Sequence, residues 1–291
     1  MNSDHLGTST ITGGHVAAAS TRGRASVAGD IEQPPAVIVN ADDWGRDLST
    51  TGRSLDCLLR GVISSVSAMV FMEDSERAAH LARQHGVDAG LHLNFTMPYS
   101  APHCPSRLME HQDRLSRFLR SHRLAPVFYH LGLASSFEYV VKAQQEEYER
   151  LYGVPANRMD GHHHMHLCTN VVLQNLLPDG IIVRRNLSFA PGEKGFINRF
   201  YRRWQDRRLA RGHRMTDFFF DLQPLEPRSR LQAILELATR FDVEVETHPI
   251  RDEEYRFLLD EELMRCAGGK PAARGYILRS SDRGAGAASI A

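Results

Sequence analysis

Between residues 36 and 250, short apolar runs alternate with helix-length amphipathic runs, and this rhythm leaves few folds open. AVIVNAD (36–42) is a β-branched run ending in polar residues, and a helix-like segment follows around Ser54 to Arg60. VISSVSAMVF (62–71) reads as a strand, SERAAHLARQHG (75–86) as a helix closed by Gly86, and VDAGLHLNF (87–95) as another strand. Residues 97–134 break the rhythm and read as an inserted loop or lid region with some helix. Ser135 and Glu138 then make a capping-box pattern. The spacing of Phe137, Val140, Val141, Tyr148, Leu151 and Tyr152 predicts an amphipathic helix ending at Gly153. Further on, 169–177 and 230–241 are helix-like, while 180–185 and 242–249 are strand-like. The expectation is an α/β fold with a mostly parallel sheet, open or closed into a barrel, in one domain over 34–266.

Flanking that domain, residues 1–33 are rich in Gly, Ser, Thr and Ala and read as a mobile leader, and 267–291 as a mostly flexible tail. Lys plus Arg and Asp plus Glu both number 35, so the formal net charge is zero and nothing in the balance calls for a nucleic-acid partner. Cys57, Cys104, Cys168 and Cys266 are scattered without a CxxC spacing, which fits reduced thiols in a cytoplasmic protein. No stretch approaches the ~20 apolar residues of a membrane span, and the start of the chain lacks the apolar core of a signal peptide. The expected location is the cytoplasm.

Chemistry gathers at the strand ends, where an α/β sheet places its active site. The first strand ends in Asn40, Asp42 and Asp43, and the third carries His92 and Asn94. DGHHHMHL supplies Asp160, His162, His164 and His166 in strand position, and a late strand ends in His248 before Pro249. So much imidazole in one stretch points to a metal site, because neutral imidazole is the commonest metal ligand near neutral pH. On a strand, His162, His164 and His166 would share a face about 6.6 Å apart, so one or two of them at most reach a single ion. An Asp and a His from other strands, with Asp43 and His92 the natural candidates, would complete a site with an open position. Of the adjacent carboxylates Asp42 and Asp43, one binds the cation and the other takes a proton from the attacking water. His248, opposite, can protonate a leaving amine.

These residues together resemble the YdjC-like carbohydrate deacetylases, which include chito-oligosaccharide and hopanoid-associated deacetylases. The matching pieces are VNADDWG (39–45), GVISSVSAMV (61–70), AGLHLNFT (89–96), MDGHHHMHL (159–167), VRR (183–185) and VETHP (245–249), in the family order over about 36–250. The resemblance implies a distorted (β/α) barrel that binds one divalent metal ion, Zn²⁺ or Mg²⁺, and removes an acetyl group from an N-acetylated sugar, oligosaccharide or glycolipid. It implies Asp43, His92 and His162 as metal ligands, Asp42 as general base and His248 as general acid. Arg184 matches an arginine near the substrate, with Asn94 and Trp44 as further substrate contacts. Asp160, His164 and His166 would stand behind the ligands. Three departures bear on substrate choice: Trp44 in place of the usual Phe, Arg158 where many members carry His, and Gly161 where Ser is common.

Two other classes stay open on the residues alone: another mononuclear metallohydrolase, of amidohydrolase or phosphoesterase type, and a non-catalytic metal- or glycan-binding protein. FINRFYRRWQDRRLAR (196–211) places Phe196, Ile197, Phe200, Tyr201 and Trp204 on one helical face and six arginines over much of the rest. The expected form is a helix packed on the barrel by its aromatic face, with a basic wall or rim for an anionic glycan, a lipid-linked substrate or a membrane surface as the alternative. A homodimer is left open.

Overall fold

The computed structural model describes residues 37–189, 195–266, 275, 276 and 278. The leader, 1–33, and most of the tail, 267–291, therefore lie outside the described residues. Among the described residues, seven parallel strands form one curled sheet, a half-barrel, with helices around it. In chain order these are β1 (Ile38–Trp44), β2 (Ser65–Ala68), β3 (Ala89–Leu93), β4 (Arg158–Gly161), β5 (Ile182–Val183), β6 (Phe218–Asp221) and β7 (Val243–Thr247). Across the sheet they run β5-β4-β3-β2-β1-β7-β6. The edge strands β5 and β6 share no ladder, and across the gap single bonds link each to the segment flanking the other. Val183 N donates to Arg214 O at 2.9 Å, Arg214 N returns a bond to Ile181 O at 3.1 Å, and Ser188 N donates to Phe219 O at 2.8 Å.

Parallel strands are covered on both faces, so β1 reads as a continuous buried run, and all seven of its residues are buried. Helices α1 (Leu48–Leu59), α2 (Ser75–His85) and α4 (Ala134–Tyr152) supply the outer layer on this side. α1 begins six residues before Ser54, because the Asp47 carboxylate accepts from Thr50 N at 2.7 Å and caps it there. α4 buries Phe137, Val140, Val141, Tyr148 and Leu151, as their spacing predicts. Its expected capping box does not form. The helix starts at Ala134 straight out of a 3₁₀ turn, Leu131–Leu133, so Ser135 lies inside its first turn rather than at the cap.

The inserted region 97–134 is built around a 16-residue helix, α3 (Ser106–Ser121), packed on α4. It works as a buttress: Gln112 Nε2 donates to Met97 O at 2.6 Å and Ser116 Oγ to Thr96 O at 3.0 Å, fixing the loop after β3. β6, a strand in the tract 186–229, was missed by sequence reasoning, as were the helices after residue 250; its signal is the triple Phe218–Phe219–Phe220. The remaining helices are α5 (Thr169–Leu173), α6 (Phe196–Leu209), α7 (Arg228–Leu237), α8 (Asp252–Leu259) and α9 (Glu262–Cys266).

The sheet interior is polar where a barrel is usually filled with aliphatic side chains. Arg158 is 2 % exposed and donates to Asn40 Oδ1 at 3.1 Å and Val66 O at 3.0 Å. Its guanidinium fits only because residue 90 has no side chain, for a Cβ there would stand 2.8 Å from Arg158 Cζ. Tyr276, in the stretch read as a flexible tail, packs its ring 4.4 Å from that guanidinium and donates its hydroxyl to Glu244 Oε2 at 2.7 Å. With Leu278 it covers Ile38, so this part of the tail closes the N-terminal end of the strands. Gly90→Ala is expected to cost about 1–3 kcal/mol by overpacking a guanidinium that cannot swing away. Urea denaturation measures it, and a loss below about 0.5 kcal/mol would show that Arg158 moves freely.

Candidate metal centre and active site

β1 delivers two carboxylates in different directions. Its register against β2 shifts between Ala41 and Trp44, and Asp43 takes a left-handed φ of 65°, unusual for a residue other than glycine. Asp43 Oδ1 lies 2.9 Å from His162 Nδ1 and 3.4 Å from His92 Nε2. Its other oxygen is fixed by Arg46 Nη1 at 2.8 Å. Ligands about 2.0–2.2 Å from one ion stand roughly 3–3.5 Å apart, so these separations suit a shared cation. The three residues are all buried, and His162 Nε2 is buried with no hydrogen-bond partner.

His92 is aimed from behind. Its Nδ1 lies 2.7 Å from Asp160 Oδ1, which turns Nε2 toward Asp43, the carboxylate-histidine arrangement common behind metal ligands. Burial disfavours charge on His92, but Asp42 and Asp160 outweigh it and raise its pKa to about 10. Burial also opposes charge on Asp43, yet hydrogen bonds from His162 and His92 hold it well below the usual carboxylate range. Such a field attracts a cation in competition with a proton.

A second acidic group, Asp42, His92 and Asp160, offers the same atom types but is already neutralised. Arg184 grips Asp42 through two bonds of 2.7 Å and lies 2.9 Å from Asp160 Oδ2, which also accepts from Ser67 Oγ at 2.5 Å. Burial raises the pKa of both carboxyls, and the guanidinium more than reverses this, so both stay ionised. On Asp42, Oδ1 also accepts from Asn40 Nδ2 at 2.8 Å. Among the described residues Oδ2 has only the one guanidinium bond, and it sits 3.8 Å from His92 Nε2. Its remaining lone pair is the one near the Asp43, His92 and His162 cluster.

These groups open into a cleft of about 400 Å³, also lined by Arg46, Met97, His163, His164, Asp221, Glu246, His248, Ile250 and Arg251. His248, just past β7, has its backbone N–H held by Glu254 Oε2 at 2.7 Å. The structure thus brings Asp42, Asp43, His92, His162 and His248 around one space. It does not place the three expected substrate contacts there. Arg184 is 1 % exposed and tied to Asp42, Asp160, Glu244 and Glu246. Trp44 lies in the hydrophobic core. Asn94, fully buried, accepts from Thr96 N and Met97 N and so shapes the loop beside the cleft.

The histidine run is also not a strand. β4 stops at Gly161, and His162–Leu167 forms a 3₁₀ segment kinked by left-handed His163 and His164, with φ of 54° and 57°. The period-two face therefore never forms. His162 faces Asp43, while His163 sits on the rim with Nδ1 3.1 Å from Thr96 Oγ1. His164 Nε2 lies 3.5 Å from Glu246 Oε1, and buried His166 places Nε2 3.0 Å from Arg184 O. Burial keeps His166 neutral, with its pKa pushed down to about 3. Gly161 lets the chain turn, since a Cβ there would lie 3.0 Å from His166 N and 3.1 Å from Leu93 O.

The YdjC-like protein family matches residues 36–267. The chain belongs to this family. Among curated relatives of this YdjC-like chain, a carbohydrate deacetylase of Vibrio cholerae serotype O1 is 28 % identical over 239 residues, spanning 80 % of this chain and 82 % of its own. A chitooligosaccharide deacetylase of Serratia marcescens is 33 % identical over 132 residues, spanning 45 % and 50 %. The crystal structure of a cellobiose-phosphate cleavage protein from Enterococcus faecalis superposes with a TM-score of 0.59 at 16 % identity, covering 84 % of the YdjC-like chain and 98 % of that one. At that identity the likeness concerns the fold.

Proposed function

We propose that this YdjC-like chain is a carbohydrate N-deacetylase that depends on one divalent cation. The observation that carries the reading is the convergence of Asp43, His92 and His162, with the free side of Asp42 Oδ2 beside them and His248 on the same cleft. The names of the relatives, carbohydrate and chitooligosaccharide deacetylase, supply the substrate class, an N-acetylated sugar. Two imidazoles and a carboxylate suit Zn²⁺ by ligand type, with Mg²⁺ the alternative. Held there, the cation supplies Lewis acidity toward the acetamide carbonyl and makes water more acidic.

The chain's own residues do the rest. Asp42, kept ionised by Arg184, accepts the proton of the attacking water at Oδ2. His248 gives a proton to the departing sugar amine, so the products are acetate and a free amino sugar. Arg46 and Asp160 take no part in proton transfer; they orient Asp43 and His92.

Acetate release from N-acetylglucosamine-containing mono- and oligosaccharides tests the reading. Activity is expected to fall to background after chelation and to return on adding Zn²⁺ or Mg²⁺. Hydrolysis of phosphoesters or cyclic amides with no acetate release would move the chain to another hydrolase class.

A further inference from the structure

The arginine-rich tract forms the helix that its pattern predicts, but with the opposite side inward. α6 buries Gln205 and Leu209, while Phe196, Ile197, Phe200 and Trp204 are 75, 83, 64 and 38 % exposed. Gln205 Nε2 donates to Leu167 O, and Arg208 Nε to Val172 O at 3.2 Å, so polar side chains seat the helix on the end of the histidine segment and on α5. At 3.6 residues per turn, Phe196, Phe200, Trp204 and Arg207 share the outer half of α6, and exposed Arg211 follows just beyond its end. An expectation is thereby corrected: of the aromatic face only Tyr201 is partly buried, and Phe196, Ile197, Phe200 and Trp204 do not pack on the barrel.

A second exposed apolar run lies alongside. Leu124, Phe128, Tyr129 and Leu131 are 57, 57, 41 and 80 % exposed, and exposed Arg120 and Arg123 stand at its start. One side chain links the two: Thr169 Oγ1 donates to Val127 O at 2.7 Å and lies 3.0 Å from Tyr201 Oη of α6. Eight large apolar residues thus sit outside on two neighbouring segments, more than scattered surface hydrophobes explain.

Charge decides what covers them. A second copy meeting this face about a two-fold axis would set the arginines of one α6 against those of another. The tract's one acid, Asp206, is already paired with Arg185 at 3.1 Å. A soluble anionic glycan would satisfy the arginines and leave the phenylalanines wet. An anionic bilayer satisfies both, with guanidinium groups at the phosphates and Trp and Phe at the acyl boundary.

We propose that α6 and the 124–131 segment form a peripheral docking surface for anionic lipid membranes. No helix among the described residues is long and apolar enough to cross one, so the contact is made from the surface. The proposal does not depend on the deacetylase reading, because the residues it uses lie outside the cleft.

Flotation of the full chain with phosphatidylcholine vesicles, with and without phosphatidylglycerol, tests it. The wild type is expected to float with the anionic vesicles and to be released by salt. Removing one interfacial arginine weakens partitioning about fivefold, so Arg207→Gln with Arg211→Gln should lower it roughly 30-fold. Phe200→Ser with Trp204→Ser should abolish it, with melting temperature unchanged. Failure of the wild type to float, equal binding to neutral vesicles, or binding that survives both double variants would overturn the proposal. So would a wild-type dimer, seen by sedimentation, that the Phe200 and Trp204 variant converts to monomer without any vesicle binding.

Discussion

Replacing Asp42 by asparagine is expected to lower kcat for acetate release by roughly 10²–10⁴-fold, the usual contribution of a positioned general base, while the bound cation is retained. The asymmetry of its two oxygens is the reason. Oδ1 already accepts from Arg184 and Asn40, whereas Oδ2 accepts from Arg184 alone and is the oxygen 3.8 Å from His92 Nε2. Asparagine keeps the shape but loses the proton acceptor, and its amide N–H₂ cannot accept from Arg184. On the proposed roles His162→Ala should differ in kind, losing the cation as well as the rate. Metal content by elemental analysis, read beside kcat, separates the two. An Asp42→Asn enzyme within about fivefold of wild type would remove Asp42 from the reaction.

Much of this site was legible because the strands that carry it are buried on both faces. β1 and β3 read as apolar runs that end in polar residues, and of these Asp42, Asp43 and His92 line the cleft. The buried positions of Arg184, Trp44 and Asn94 were not legible, because adjacency in sequence does not show which side of a strand end faces the cleft. Arg184 becomes a structural cation only when β1, β4 and β7 bring four carboxylates around it. A partial signal existed in VEVET, where Glu244 and Glu246 alternate on one face of an otherwise apolar strand, an arrangement that asks for a buried partner.

The histidine run misled for a related reason. Its alternation fits a strand, but a Cβ at residue 161 would stand 3.1 Å from Leu93 O, and the chain turns after this glycine into left-handed His163 and His164, a conformation that alternation along the sequence does not announce. Helix α6 misled differently. Amphipathic spacing defines two faces without stating which goes in, and here Gln205, Leu209 and arginine-to-carbonyl bonds hold the inner side.

Arg184→Met should be the most destabilising single change in the described structure. The guanidinium donates from Nε to Glu244 at 2.8 Å, from Nη1 to Asp42 and Glu246 at 2.7 and 3.2 Å, and meets Asp160 through Nη2 at 2.9 Å. Its flat face lies 4.8 Å from the Phe219 ring centroid. Removing one partner from a buried ionic cluster costs about 3–5 kcal/mol, because the charges left behind are neither solvated nor paired. For a domain of this size that corresponds to a melting temperature lower by roughly 6–20 °C. Arg184→Lys restores the charge but not the fork, since a lysine amine cannot span both oxygens of Asp42 and still reach Glu244. It should therefore recover part of the stability and little of the activity, because Asp42 loses its orientation. A methionine variant that melts within about 2 °C of wild type would mean that the four carboxylates take up protons together when the arginine leaves, and that Arg184 orients Asp42 without holding the barrel.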